Sequence, residues 1–376
     1  MPALHDTVDP GGLAEFSVVF TDRSLNHMSA NFQQVMRDLS AMLRQVYAAE
    51  GVAIVPGGGS YAMEAVARQF ARDAGVLVVR NGWFSYRWSQ ILETGGIAGE
   101  ATVMKARRTG NAAQSPFTPA PIEEVVDRIR AERPAVVFAP HVETSAGLIL
   151  PDAYITAMAE AAHEVGALMV LDCIASGAAW VDMAATGVDV LISAPQKGWS
   201  STPSAGLVMM SSIALDRLEA TESDSFALNL ATWTNVMRAY ENGGHAYHAT
   251  MPTDSLRAFR DAMLETQDFG FEAAREAQWR LGAAVRAKLA EKGVVSVAAE
   301  GYGAPGVVVG YTDDPEVQSG RAFLAQGTQI AAGVPLRVDE PEGFSTFRLG
   351  LFGLDKLRDV DGTLARLAPA LDAALA

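Results

Sequence analysis

The stretch ALMVLDCIASGAAWVDMAATGVDVLISAPQKGW, residues 167–199, contains two short apolar runs, ALMVL (167–171) and DVLIS (189–193). Both runs are continuous rather than alternating, which is typical of strands covered on both faces. Asp172 directly follows the first run, and Lys197 lies a few residues after the second. Active sites in parallel sheets gather at the carboxyl ends of the strands. The stretch therefore predicts a buried sheet with candidate functional residues along one edge.

The same pattern extends over residues 52–210. Further apolar runs lie at 52–55, 76–79, 135–139 and 206–210. Apolar residues at three- and four-residue spacing predict helices at about 31–48, 61–74, 121–132, 151–165, 254–267, 271–292, 316–326 and 354–375. The alternation of strands and helices predicts an α/β fold, with a mostly parallel central sheet and helices on both faces.

The pattern changes after about residue 255. Two long predicted helices are followed by the apolar segments VVSVAA (294–299), GVVVGY (306–311) and TFRLGLF (346–352), with loops between them. This order favours a second, smaller α+β domain. We predict an N-terminal arm over 1–20, a large domain over 21–255 and a small C-terminal domain over 256–376.

Charge and composition limit the possible partners. The 376 residues include 29 basic and 44 acidic side chains, and the net charge of -15 disfavours binding to nucleic acid or to an anionic membrane. The single cysteine excludes a disulfide framework within the chain and a multi-cysteine metal site. Residues 1–20 do not resemble a signal peptide, and no uncharged run reaches membrane-spanning length. We expect a soluble, cytoplasmic protein.

The segment PGGGSYAMEA, residues 56–65, follows a predicted strand and opens a predicted helix. Its glycines allow close approach to the backbone, and the free N–H groups of a first helical turn bind anions. The segment suits a phosphate, and it equally suits a plain helix start in which Ser60 is the N-cap. Its spacing is that of neither a P-loop nor a dinucleotide-binding loop.

Asp172 and Lys197 complete a set of three features. An acid at a strand end is also found as a metal ligand or a helix cap, and most lysines lie at the surface. Small and apolar neighbours disfavour the charged form of Lys197 and make its amine available for imine formation. A phosphate cradle, a carboxylate and such a lysine are the groups that a protein supplies to pyridoxal 5'-phosphate. The combination predicts an enzyme in which Lys197 carries this cofactor.

Over residues 27–352 the sequence resembles the class V pyridoxal-phosphate-dependent aminotransferases of fold type I, in the alanine–glyoxylate and serine–glyoxylate branch. GGGSYAMEA is similar to the Gly-Ser-Gly-Thr-x-Ala-x-Glu phosphate loop of that family, and NGWFSYRW (81–88) is similar to its Asn-Gly-x-Phe-Gly-x-Arg-Trp segment. HVETSAGLILP (141–151) and DCIAS (172–176) resemble two further segments of the family. The resemblance implies the fold type I architecture and transaminase activity.

The resemblance also implies roles for individual residues. The phosphate loop would be Gly58, Gly59, Ser60 and Tyr61. Phe84 and Ile174 would cover the two faces of the cofactor ring, while Asp172 would pair with the ring nitrogen. Ser145, with Thr144 as the second choice, would lie near the phenolic oxygen.

Further implied residues lie in the second half of the chain. Lys197 would hold the cofactor as a Schiff base, and Gln196 would contact its phosphate. Tyr247 and Thr250 would reach across a homodimer interface to the phosphate of the neighbouring chain. Arg348, in FRLGLFG (347–353), would bind the substrate carboxylate with its planar fork.

The predicted reaction moves an amino group from a small amino acid of the alanine or serine type to a 2-oxo acid such as glyoxylate or pyruvate. Alternatives are an aminoethylphosphonate-type transaminase, a lyase that would need a mobile cysteine, and a binding protein without activity. The family's Pro-Gly-Pro is missing near the amino end, and Met28 stands in the place of an arginine. We therefore expect an amino donor that differs from the donors of the family. His245 and His248 lack a third ligand, and we predict no metal.

Overall fold

The computed structural model describes residues 8–376; residues 1–7, the start of the predicted N-terminal arm, lie outside the described residues. The strands, in chain order, are β1 (Gly51–Pro56), β2 (Gly75–Arg80), β3 (Glu100–Lys105), β4 (Arg107–Arg108), β5 (Phe117–Thr118), β6 (Val136–Pro140), β7 (Val142–Glu143), β8 (Leu148–Ile149), β9 (Leu168–Asp172), β10 (Val190–Ser193), β11 (Ala205–Met210), β12 (Val307–Tyr311), β13 (Ala331–Ala332) and β14 (Thr346–Gly350). The helices are α1 (Ala30–Tyr47), α2 (Gly59–Phe70), α3 (Trp83–Gly95), α4 (Ile122–Glu132), α5 (Asp152–Val165), α6 (Met183–Thr186), α7 (Ser212–Glu219), α8 (Leu230–Glu241), α9 (Thr253–Phe269), α10 (Phe271–Glu291), α11 (Pro315–Gln318), α12 (Arg321–Leu324), α13 (Leu354–Leu357) and α14 (Val360–Ala374).

Seven strands form the central sheet, in the order β1-β11-β10-β9-β6-β2-β3. β11 runs antiparallel to both of its neighbours, β1 and β10. The pairs from β10 through β9, β6 and β2 to β3 are parallel. Strands β6, β9, β10 and β11 are buried at every residue, which requires cover on both faces of the sheet. The predicted α/β class with a mostly parallel sheet is confirmed.

The helices around the sheet are amphipathic. In α1 the buried residues Phe32, Val35, Met36, Leu39 and Leu43 recur at three- and four-residue spacing, and each such side chain stabilises the fold by roughly 1.5–3 kcal/mol. The helix begins where the Ser29 hydroxyl accepts a hydrogen bond from the amide of Phe32 at 3.1 Å. Over residues 8–376, no helix has both the length and the apolar character needed to cross a membrane.

Several elements differ from the prediction. Strand β3 and helices α3, α7 and α8 were not predicted. The helix predicted over 316–326 is two short helices, α11 and α12, and the helix predicted over 354–375 is divided into α13 and α14. The division occurs because the Asp359 carboxylate caps α14, accepting a hydrogen bond from the amide of Gly362 at 2.9 Å. In the apolar segment 294–299, Ser296 and Ala298 form isolated bridges.

The C-terminal part of the chain contains its own antiparallel sheet, in the order β12-β14-β13. Its core includes Leu281 of α10 and Phe347 of β14. The predicted domain boundary at 255/256 falls inside α9, where Leu256 and Phe259 pack in the core of the central sheet. The division into three regions stays a prediction.

Candidate active site

The candidate site lies at the carboxyl edge of the central sheet. Helix α2 begins soon after β1, Asp172 is the last residue of β9, and Lys197 lies in the loop after β10. Because β9 and β10 are parallel neighbours, their ends meet at the same edge. A cavity of about 220 Å³ is found there. The predicted residues that line it are Gly59, Ser60, Phe84, Thr144, Asp172, Ile174, Gln196 and Lys197.

The start of α2 is the candidate anion cradle of the cavity. The first amides of a helix have no partner inside the helix, and here Gly59 and Ser60 bring them to the cavity wall. A Cβ atom on Gly59 would lie 2.4 Å from Cδ1 of Ile174, so a larger residue does not fit beside the isoleucine. Gly58 and Tyr61, also predicted to bind phosphate, do not line the cavity, and the Tyr61 side chain is exposed.

Asp172 is a buried carboxylate with 7% of its surface exposed. Burial raises its pKa to about 7, and the nearby negative charge of Glu143 acts in the same direction. The amide of Ile174 donates a hydrogen bond to its Oδ1 atom at 2.9 Å, and this bond opposes the rise. A cationic partner placed in the cavity would favour the ionised form of Asp172.

Lys197 is partly buried and has a lowered pKa. Burial is the main cause, and the positive charges of Arg348 and Arg87 lower the pKa further. Its Nζ atom lies 5.5 Å from the centre of the Phe352 ring. The direction of this shift confirms the prediction that the charged form of Lys197 is disfavoured. Beside it, Gln196 has a buried Oε1 atom without a hydrogen-bond partner in the described part of the chain.

Several predicted side chains line the cavity together with Asp172 and Lys197. Phe84 and Ile174, predicted to cover the two faces of the cofactor ring, both line the cavity. Thr144 lines it too, whereas Ser145 does not. The Ser145 hydroxyl is fully buried, accepts a hydrogen bond from the amide of Trp83 and donates one to Glu143 at 2.7 Å. The place of Ser145 near the phenolic oxygen, with Thr144 as the second choice, stays a prediction, and Thr144 is the one of the two that lines the cavity.

Arg348 lies next to the cavity rather than in its wall. Its Nε atom donates a hydrogen bond to the carbonyl of Ala332 at 2.8 Å, and its Cζ atom lies 5.7 Å from the centre of the Phe84 ring. Tyr247 and Thr250 are outside the cavity. The Tyr247 hydroxyl and the Thr250 hydroxyl are 3.2 Å apart, and the Tyr247 side chain is exposed. Their predicted contact with a neighbouring chain stays a prediction.

Arg87 is a cavity residue that the sequence reasoning missed. It lies on α3 three residues after Phe84, and its Nη1 atom donates a hydrogen bond to the Ser60 hydroxyl at 2.9 Å. The available signal was its place in NGWFSYRW, together with the three-residue spacing that puts two helical side chains on one face. That spacing became informative only once residues 83–95 were known to be a helix.

Glu143 was also missed, and it fixes the start of α3. Its buried carboxylate accepts hydrogen bonds from the amides of Phe84 at 3.1 Å and Ser85 at 2.9 Å. The hydroxyl groups of Ser85 and Ser145 donate to it at 2.6 and 2.7 Å. A negative charge at this end of a helix is also favoured by the helix dipole. Glu143 therefore holds Phe84 in its position beside the cavity.

No cluster of three or more possible metal ligands is found in the described residues. His248, one of the two histidines considered, has its Nε2 atom 2.8 Å from the carbonyl of Phe226. The ring of His245 instead lies 5.7 Å from the ring of His27.

The cavity residues fit pyridoxal phosphate. The Asp172 carboxylate suits the protonated ring nitrogen, and the start of α2 suits the phosphate. The unpartnered Oε1 atom marks Gln196 as a polar side chain with an unused hydrogen-bonding group at this wall. The lowered pKa of Lys197 favours the neutral amine that imine formation requires. Fold and cavity together define a pyridoxal-phosphate enzyme.

Comparisons with known proteins agree with this class. The family described as Aminotransferase class-V matches residues 17–328. A 2-aminoethylphosphonate–pyruvate transaminase of Paraburkholderia phymatum is 28% identical over 351 residues, covering 92% of this chain and 89% of the relative. The small subunit of a soluble hydrogenase of Synechococcus sp. is 27% identical, with coverages of 92% and 87%. The crystal structure of an alanine–glyoxylate aminotransferase of Nostoc sp. matches with a TM-score of 0.79 at 23% identity, covering 94% of this chain and 89% of that one.

The chain belongs to the class-V aminotransferase family, because the family match spans more than half of its length. It is a pyridoxal-phosphate-dependent transaminase. The relatives carry different substrate names, so the amino donor has to be inferred from the site.

Proposed function

We propose that the protein transfers an amino group from a small amino acid, of the alanine or serine type, to a 2-oxo acid such as glyoxylate or pyruvate. The observation that carries this proposal is the position of Arg348, whose Cζ atom lies 5.7 Å from the centre of the Phe84 ring in the cavity wall and whose charge helps to lower the pKa of Lys197. Among the described residues, Arg348 is bonded to the backbone only through its Nε atom, at Ala332, which leaves the two outer nitrogens for a carboxylate.

The chain contributes binding, orientation and proton transfer. Bound pyridoxal phosphate would supply an electron sink for the reacting carbon of the substrate, and it would carry the amino group between the two half-reactions. Lys197, with its lowered pKa, is suited to take a proton from the substrate and return it. Asp172 would hold the proton on the ring nitrogen, and Phe84 and Ile174 would limit the tilt of the ring between them.

A second candidate donor is 2-aminoethylphosphonate. A relative 28% identical over 351 residues carries this activity in its name. The donor has a phosphonate in place of the carboxylate, and an arginine fork such as that of Arg348 binds either group. Pyruvate is a possible acceptor under both proposals.

A cysteine-dependent lyase is less consistent with the site. The single cysteine, Cys173, is buried next to Asp172, and burial raises the pKa of its thiol. A mobile thiolate would need exposure and a lowered pKa.

A homodimer with shared active sites is part of the proposal. Leu13, Phe16 and Val18, in the N-terminal arm, expose nearly their whole side chains. Exposed apolar side chains close together in one segment are typical of a surface that binds another protein. The exposed Tyr247 and its partner Thr250 would then face the site of the neighbouring chain. We also propose a cytoplasmic location, which the single cysteine favours.

The test is a half-reaction with the cofactor-loaded protein and no acceptor. L-alanine, L-serine and 2-aminoethylphosphonate are added separately, and the visible absorption of the bound cofactor is followed together with the released oxo product. We expect the two amino acids to remove the absorption band and to release equimolar oxo acid. Conversion by 2-aminoethylphosphonate alone would reject the amino acid proposal in favour of the second candidate.

Variants make this test specific to the site. Lys197→Ala should abolish both the visible band and turnover, whereas Lys288→Ala, at an exposed lysine of α10, should change neither. Arg348→Lys keeps the charge but loses the fork, so we expect the donor KM to rise by about tenfold or more. Full activity of Lys197→Ala would overturn the assignment of the lysine.

A further inference from the structure

We propose that Arg87 is a further cofactor-binding residue, whose guanidinium pairs with the phosphate group of pyridoxal phosphate alongside Ser60. The proposal rests on the site described above and adds to it a cation that the sequence reasoning did not assign. The proposed contact of Arg87 depends on the phosphate of the cofactor and not on its ring.

Helix α3 brings Arg87 to the cavity. Residues three apart in a helix lie on the same face, so Phe84 and Arg87 point to the same wall. The next residue, Trp88, turns into the core, where its ring stacks on Phe138 at a centroid distance of 4.2 Å. This buried contact fixes the rotation of the helix and thereby the direction of Arg87. The Arg87 Cζ atom lies 5.3 Å from the centre of the Phe84 ring.

The Arg87 side chain ends at the anion cradle. Its Nη1 atom donates to the Ser60 hydroxyl at 2.9 Å, at the first turn of α2. A hydroxyl that accepts a hydrogen bond from arginine keeps its own proton for another acceptor. An anion at this point would therefore meet the hydroxyl of Ser60, the free amides of α2 and the guanidinium of Arg87.

The charge of Arg87 is available for such an anion. A guanidinium has five N–H donors, and Arg87 forms no ion pair within 4.0 Å among the residues that the structure describes. The protein carries a net charge of -15, so an uncompensated arginine in a cavity is a local exception. The charge of Arg87 is also felt by Lys197 and Asp172, the two groups on which the chemistry depends.

A substrate anion is the competing partner for Arg87. Arg348 also approaches Phe84, but its guanidinium is held at the carbonyl of Ala332 through the Nε atom. Arg87 is instead bonded to Ser60, at the start of a helix where a phosphate is favoured. The two arginines therefore bind different anions. Arg348 binds the anionic group of the substrate, and Arg87 binds the phosphate of the cofactor.

The experiment measures binding of two ligands to cofactor-free protein, pyridoxal phosphate and pyridoxal, which lacks the phosphate. Binding is followed by protein fluorescence and by the visible absorption band. Arg87→Gln should weaken the binding of pyridoxal phosphate by about 10- to 100-fold, which is the scale of one charge-assisted contact. The affinity for pyridoxal should change less than threefold, and Arg87→Lys should recover part of the loss. Arg128→Gln, at an exposed arginine of α4, is the matched control.

The outcomes separate this inference from the proposed function. Equal losses for both ligands would show a structural role of Arg87 and overturn the inference. Unchanged affinity for pyridoxal phosphate, with or without a raised KM for the amino donor, would also overturn it. Both results leave the transaminase proposal intact if wild-type protein binds the cofactor and converts the donors. Absence of cofactor binding in the wild type would instead reject the site itself.

Discussion

Replacement of Asp172 by asparagine should make the cofactor-free protein more stable while it weakens the binding of the cofactor. Burial raises the pKa of Asp172 from 3.8 to about 7, so the folded state holds a proton that the unfolded chain releases at lower pH. The carboxylate therefore lowers stability increasingly as the pH rises from about 4 to 7, and the loss reaches about 4 kcal/mol above that range. Asparagine removes this dependence on pH and keeps an oxygen that accepts the hydrogen bond of Ile174.

The assay is urea unfolding of cofactor-free wild type and Asp172→Asn at pH 5 and pH 8.5. The free energy of unfolding of the variant should exceed that of the wild type by roughly 2–3 kcal/mol more at pH 8.5 than at pH 5, because most of the titration of Asp172 lies between these pH values. Asp216→Asn, at an exposed position of α7, should give no such growth. Added pyridoxal phosphate should stabilise the wild type more than the variant at pH 8.5, since ligands stabilise the state that binds them. An advantage that is equal at both pH values would refute the reasoning.

Three further predictions concern the site and the assembly. Gly59→Ala should weaken cofactor binding about tenfold, because the new Cβ would lie 2.4 Å from Ile174; Gly75→Ala, where nothing lies within 4 Å, should leave the dissociation constant unchanged. Glu143→Gln should lower the free energy of unfolding by about 2 kcal/mol in chemical denaturation, because it replaces a buried carboxylate that accepts several hydrogen bonds; an equal stability would show that these bonds are dispensable. Sedimentation equilibrium should give twice the 39.8 kDa of one chain, and Phe16→Asp should shift the mass towards one chain; a monomeric wild type would reject the dimer.

The interior of the central sheet could be predicted because burial on both faces leaves a continuous apolar run. Strand β9, with all residues buried, is such a case. Strand β3 could not be recognised in this way, since it lies at the edge of the sheet and its sequence mixes Glu100 and Lys105 with apolar residues. Helix α3 was missed because its first turn follows Gly82 and is rich in aromatic residues, which have no strong helix preference.

The meeting of Asp172 and Lys197 at one cavity could be predicted, because each follows a buried strand and the carboxyl ends of parallel strands meet at one edge of the sheet. The hydrogen bond from the Ser145 hydroxyl to the buried Glu143 could not be predicted, because it depends on packing between distant segments. Arg87 required knowledge of a helix that the sequence pattern had not indicated. Local pattern thus indicates which residues belong to an edge of the sheet, and packing decides which of them point into the cavity.

The antiparallel direction of β11 has a consequence for the evolution of this protein. Because β11 lies beside β10 and runs the opposite way, the loop over residues 194–204 leaves and re-enters the sheet at one edge. A parallel strand in that place would need a crossover connection, usually a helix. The loop that carries Lys197 therefore returns to the sheet without a crossover, and it contains the fully buried Trp199 and Gly198, on which a Cβ atom would meet the carbonyl of Gly177. Insertions or deletions in this loop would disturb that packing, so its length is constrained on this scaffold.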